Sequence, residues 1–306
     1  MGKPVQNENM RTSSVPPPVL MVTAVLSVQF GAALAQTQFE AVGPTGATLL
    51  RLIFGALILL VAVRPRVSGW KREQWVAATV LGVALAGMNT LIYLAIGEIP
   101  IGVAVTLEFT GPLLLALVQT RRLTDAAWAL LAFAGVVLLG LDGGSALSLA
   151  GVLFALGAGA FWAVYILASA RVGQLVPGVE GLAVSMAIGA VIALPLGATA
   201  VTGGAVASPL VLPVFAGVAL LSSALPYGLE MLALRRLSTR VFCVLSALGP
   251  AVAALAGLLV LGQALGPREI IALVLVTAAS VGVTVGVRRR RADNSDTLLP
   301  QLKRTD

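Results

Sequence analysis

Ten apolar runs follow one another between residues 19 and 287, each close to the length a helix needs to cross a bilayer. A hydrocarbon core takes about 20 apolar residues in helical form. The runs lie near 19–39, 44–63, 75–97, 100–119, 124–141, 147–170, 180–201, 210–234, 239–262 and 268–287. Lipid offers nothing that can hydrogen-bond a bare peptide group, so runs of this kind must satisfy their own backbone as helices. The chain is expected to be an all-α membrane protein of ten transmembrane helices. Its 11% of charged residues, against about 25% in soluble domains, leaves no surface suited to water.

The arginines and lysines set the orientation. With the N-terminus in the cytoplasm, the inner segments hold 18 of the 20 basic residues, the outer loops hold only Arg268, and Arg51 lies within a span. Positive charge is retained on the cytoplasmic side, so both ends are expected there. A competing expectation treats the first run as a cleaved leader, because Ala33-Leu34-Ala35 resembles a signal-peptidase site. The net charge of +7 lies in short clusters between apolar runs, which points to the lipid bilayer and away from nucleic acid. With no histidine and one cysteine, Cys243, the chain has no internal disulfide and no residues for a metal site. No phosphate-binding glycine loop and no serine, histidine and acid set occurs either, so ATP-driven pumping, hydrolysis and a cofactor are not expected. Energy must come from a gradient.

Sliding the chain by 138 residues lays Leu94-Ala95 on Leu232-Ala233, Leu107 on Leu245 and Gly111-Pro112 on Gly249-Pro250. Five spans per half is an odd number, so the halves enter the membrane in opposite senses, as two inverted five-helix repeats. The expected organisation is a disordered N-terminus (1–18), a first repeat (19–141), a second (147–287) and a basic, disordered tail (288–306), joined outside at Asp142-Gly143-Gly144.

Glu108 is the charge that such a chain least easily accommodates. A carboxylate at membrane depth costs about 2.5–3.5 kcal/mol on insertion scales and marks a solute or proton pathway by default. Pro112 removes the N–H that would bond the Glu108 carbonyl. At about 1.5 Å per residue, Glu108, Arg51, Asn89 and Gln29 all fall roughly 10–14 Å from the outer face. Arg51 is the expected counter-charge, with snorkelling to the outer headgroups as its alternative. In the second half Pro226 frees the Ser222 carbonyl, and Tyr227 occupies the repeat position of Asn89. Glu230 belongs either to the pathway or to a salt bridge with Arg235 and Arg236. Gly249 and Pro250 repeat the break of Gly111 and Pro112, with Ser246 at the position of Glu108. Paired interrupted helices are the best sequence pointer to a transporter site; packing kinks are the alternative. Backbone near Pro112, Pro226 and Pro250 is expected to offer carbonyls to an ammonium group. Trp162 and Tyr165 are expected to pack or face lipid, with lining a cavity as the alternative.

The stretches Gly87-Met88-Asn89, Tyr93-Leu94-Ala95, Ile99 to Val105 and Leu107-Glu108-Phe109-Thr110-Gly111-Pro112-Leu113 resemble the EamA branch of the drug/metabolite transporter superfamily. Within it they are similar to the threonine/homoserine exporter group, as are Pro226-Tyr227, Leu229-Glu230 and Leu234-Arg235-Arg236-Leu237. The resemblance implies a bacterial inner-membrane carrier that exports small neutral amino acids against proton entry, and it adds Tyr93 to the pathway. A permease or exporter of the same type with another cargo or direction is the alternative, and a membrane scaffold a more distant one. Two positions depart from the pattern. Gly249 and Gln263 stand where family members commonly carry glutamate, so no coupling role passes to them. The glycine-rich helices suit a monomer or a homodimer.

Overall fold

The computed structural model describes residues 16–118, 148–207, 210–237 and 245–279, with isolated residues at 127–128, 130–131, 134–135, 138, 242 and 281–282. Most of the expected fifth span, both polar ends, the turn at 142–144 and Cys243 lie outside the described residues.

All regular structure among the described residues is helical. Helix α1 (Pro17–Gln36) opens with proline in its first turn, where the missing N–H has no intrahelical partner to lose. Helix α2 (Phe39–Val63) begins earlier than its apolar run and is kinked at Gly43, whose φ of 64° precedes Pro44. Proline disfavours helical geometry in the residue before it, and glycine alone takes the left-handed alternative without strain. Helix α3 (Arg72–Glu98) starts where the Lys71 N–H donates to Gln74 Oε1 at 2.8 Å and stops at the extended residue Ile99, just before Pro100.

The fourth run divides into α4 (Ile101–Glu108) and α5 (Thr110–Val118) at Phe109. Helices α6 (Leu149–Leu175) and α7 (Glu180–Ala207) follow, the first with Ser148 at its N-cap. The next run is built from α8 (Val211–Ala219), a π-helical turn over Leu220–Ala224, and α9 (Leu225–Leu234). Helix α10 (Gly249–Leu261) begins at the second glycine-proline pair and ends at Gly262, φ 66°. A last helical stretch covers 267–279.

Among the described residues six segments are long and apolar enough to cross a membrane: Pro17–Gln36, Phe39–Val63, Arg72–Glu98, Leu149–Leu175, Glu180–Thr202 and Val211–Leu234. Among the described residues Ile101–Leu115 and Gly249–Leu261 are apolar but shorter.

Helix α2 lies along α7, and α3 along α6 and α7; α1 packs on α9 and α10, and α4 on α10 and α6. Lipid is as apolar as leucine, so helices associate in it by close contact through small residues. At Gly82 and Gly189, α3 meets α7 so closely that an added Cβ would lie 2.7 Å from the Ser185 carbonyl or 3.0 Å from that of Gly82. Large apolar side chains such as Leu57, Val61, Leu153, Val191 and Leu196 are exposed on the outside. Arg51, Asn89, Glu108, Ser222, Ser223 and Glu230 are buried. This inside-out polarity is what a lipid solvent selects.

Candidate transport pathway

Arg51, on α2, reaches across the interior to the π-helical turn. Its Nε donates to Ser223 Oγ at 2.7 Å, and its Nη2 to Tyr227 OH at 3.0 Å and to the Ser222 carbonyl. Pro226 has no N–H to offer that carbonyl, so the guanidinium takes an acceptor the helix leaves. The Arg51 Cζ sits 5.2 Å from the ring centroid of Tyr93 and 5.8 Å from that of Tyr227, both within cation–π range. Tyr227 passes the network on, donating to Asn89 Oδ1 at 3.0 Å, while Asn89 Nδ2 donates to the Leu85 carbonyl at 2.7 Å. Arginine 2% exposed and surrounded by acceptors is no snorkelling residue. Its Nη1 makes no hydrogen bond among the described residues.

These groups line one cavity with Glu108, Gln29 and Glu230, and with Trp162 from α6. The depth argument therefore brought together residues that the fold also brings together, four of them from the first half of the chain. Arg51 and Glu108 face the same cavity without a direct contact. Among the described residues no ion pair joins Arg51 to Glu108; the described ion pair is Arg171–Glu73, at 4.0 Å on the surface. The guanidinium is held instead by second-half groups that the depth count did not include. Glu108, 7% exposed, has no hydrogen-bond partner for its carboxylate among the described residues. The Tyr93 hydroxyl is buried without a partner as well. One cation held by its neighbours, one carboxylate without a hydrogen-bond partner among the described residues and the phenol of Tyr93 thus share a largely apolar space.

Glu230 lies in the same cavity and accepts a 2.7 Å hydrogen bond from Tyr165 OH. The salt bridge to Arg235 does not form, because Arg235 Nη2 turns to the carbonyls of Val176 and Gly178, at 2.5 and 2.6 Å. Tyr165 is fully buried and packed in the core, whereas Trp162 lines the cavity. The signal of Tyr165 was present in the sequence only as a hydroxyl on an apolar helix. Ser223 was likewise visible as a hydroxyl, but its use as an Arg51 acceptor depends on the π-helical turn.

Ser246 is buried with its hydroxyl unpartnered, and it does not line the cavity. The breaks differ in what they expose. The Ser222 carbonyl is used by Arg51, and that of Glu108 lies against Gly159 of α6, where a Cβ would strike its oxygen. Gly111 abuts the Gly159 backbone in turn. Two of the three frayed carbonyls expected to meet an ammonium group are therefore engaged within the protein. Near the third, Gly249 sits close to the Gln29 amide. Among the described residues no group of three or more His, Cys, Asp or Glu could hold a metal.

A family model described as the EamA-like transporter family matches residues 149–285. Over 276 residues, 89% of this chain and 92% of the relative, the sequence is 44% identical to the threonine/homoserine exporter RhtA of Escherichia coli (strain K12). It is 43% identical over 293 residues, 95% of each chain, to the threonine/homoserine exporter RhtA of Salmonella typhimurium (strain LT2). A crystal structure of another protein aligns over 89% of this chain and 98% of its own with a TM-score of 0.63 at 20% identity, a likeness of fold.

Proposed function

The chain belongs to the EamA-like transporter family, and on that premise we propose that it exports small neutral amino acids of the threonine and homoserine type across a bacterial inner membrane. As a multi-pass member of a transporter family it moves a solute and is not an enzyme. The observation that carries the reading is the cavity itself, where Arg51 keeps a free Nη1 edge and Glu108 a free carboxylate. A zwitterion offers one carboxylate and one ammonium, which these two groups complement. The relatives' names agree with that chemistry.

In this proposal the carrier is a proton antiporter. Glu108 takes up a proton from the outer side and gives it up when the substrate ammonium arrives, so cargo and proton exclude one another. Alternating access comes from two inverted five-helix repeats, 19–141 and 147–287, with both termini in the cytoplasm. The packing supports the repeat: α1, α2 and α3 shifted by 138 residues fall on α6, α7 and the α8–α9 segment, and the α3–α6 contact has its counterpart in α1 on α9. The Asn89–Tyr227 hydrogen bond joins two positions at that same offset, as expected near a pseudo-two-fold axis.

Everted vesicles carrying the protein are expected to alkalinise inside when threonine is added, and Glu108→Gln to abolish that response. Unchanged coupling in this variant would sink the role of Glu108. Accumulation assays with homoserine, threonine, other amino acids and dyes separate this cargo from another.

A further inference from the structure

A second polar route leaves the cavity on the side away from Glu108. Tyr165, Ser169 and Gly173 recur at one-turn spacing on α6 and therefore share a face. Tyr165 OH donates to Glu230 Oε2 at 2.7 Å, and Glu230 lines the central cavity. Ser169, Gly173 and Gln174 line a separate cleft of about 300 Å³ between α6 and α9. Its far end is held by Arg235, bonded to the Val176 and Gly178 carbonyls. A single side chain, that of Tyr165, thus stands between the carboxylate in the cavity and the serine of the cleft.

Ser169 behaves unlike Thr106, Ser185 and Ser222, and shares its lack of a partner with Ser246 and Thr277. Thr106, Ser185 and Ser222 each donate to the carbonyl four residues back, at 2.6, 2.7 and 2.7 Å, the usual resort of such residues in apolar helices. The Ser169 hydroxyl is 1% exposed and has no well-formed hydrogen bond among the described residues, the Tyr165 hydroxyl one turn away being the group it interacts with. An unmade bond at a buried hydroxyl costs about 1–3 kcal/mol. A structural role alone gives no reason to keep serine there, since alanine would avoid the cost.

We propose that Glu230, Tyr165 and Ser169 form a proton relay that connects the central cavity to the α6–α9 cleft. It rests on the proton-coupled reading above. A protonated Glu230 donates to the Tyr165 oxygen as Tyr165 gives its own proton to Ser169, and Ser169 passes its proton to water in the cleft. Each hydroxyl gains one proton and loses one, and only Glu230 ends deprotonated. Rotation of the two hydroxyls then restores the observed Tyr165-to-Glu230 bond. The charged and titratable groups that face this route are Arg51, Tyr227 and Glu108 across the cavity and Arg235 at the cleft. By the proposed orientation the cleft opens on the arginine-rich, cytoplasmic side.

The test uses the full chain in liposomes with an internal pH dye and threonine as probe. Tyr165→Phe and Ser169→Ala are expected to cut threonine-driven proton flux at least tenfold, while threonine–threonine exchange, which moves no net proton, falls less than twofold. Ser169→Thr is expected to restore the flux. Wild-type proton flux in both Tyr165→Phe and Ser169→Ala overturns the relay, and so does equal loss of flux and exchange in both. Should Tyr165→Phe fail to fold, Ser169→Ala against Ser169→Thr decides alone. If wild type shows no threonine-dependent proton movement, the antiport reading fails and the relay with it. If wild type couples and Glu108→Gln does not, normal coupling in the relay variants overturns the relay only.

Discussion

Arg51 shows where residue-level reading stops. That a buried arginine must have partners was legible from the sequence, because an uncompensated charge at that depth is too costly. Which partners was not, because Ser222, Ser223 and Tyr227 follow it by more than 170 residues and meet it only through the π-helical turn. Three acceptors around one planar guanidinium cannot be matched by an ammonium. Arg51→Lys is therefore expected to lower the export rate by about tenfold or more, the equivalent of one lost charged hydrogen bond of about 1.5–3 kcal/mol. Whole-cell threonine efflux measures this. Gln263 is a second case. Where relatives of the group were expected to carry an acid, its Oε1 accepts the Ile101 N–H at 3.1 Å and satisfies the first turn of α4. Gln263→Ala is expected to destabilise the protein by about 1–3 kcal/mol, read as a lower melting temperature in detergent. Gln263→Glu keeps the acceptor and is expected to lose much less.

The helix breaks were the most legible elements, since proline and glycine announce themselves. Their use was not. The Glu108–Gly111 break serves as a contact, because α4 and α5 close on Gly159 of α6 with no room for a side chain. Gly159→Ala would drive a methyl group into backbone, so it is expected to cost at least about 1–3 kcal/mol as overpacking and to reduce export, seen in melting curves and efflux together. The π-helical turn was invisible from composition: Leu220–Ala224 reads like any other apolar stretch. Pro226→Ala would return an N–H that competes with Arg51 for the Ser222 carbonyl. It is expected to raise helix stability while slowing export, an opposite movement of the two measurements that simple damage would not produce.

At the scale of the molecule, the all-helical membrane class and the burial of polar groups were readable because a bilayer constrains length and backbone bonding so tightly. Among the described residues six of the ten runs appear as helices long enough to cross a membrane, and two more as shorter apolar helices. The side each loop faces rests on the arginine count. In a Cys243→Ala background, Val67→Cys, beside Arg66, is expected to react with an impermeant thiol reagent in everted vesicles and Thr202→Cys in intact cells. The reverse pattern would invert the topology. The hydrogen bond from Tyr227 to Asn89 has one more consequence. Two identical halves trading places would leave the two faces of a transport cycle equal in energy. A phenol that donates opposite an amide oxygen that only accepts cannot trade places with it, so the empty carrier has a preferred resting side, and the ion gradient is what pulls it off that side on each turn.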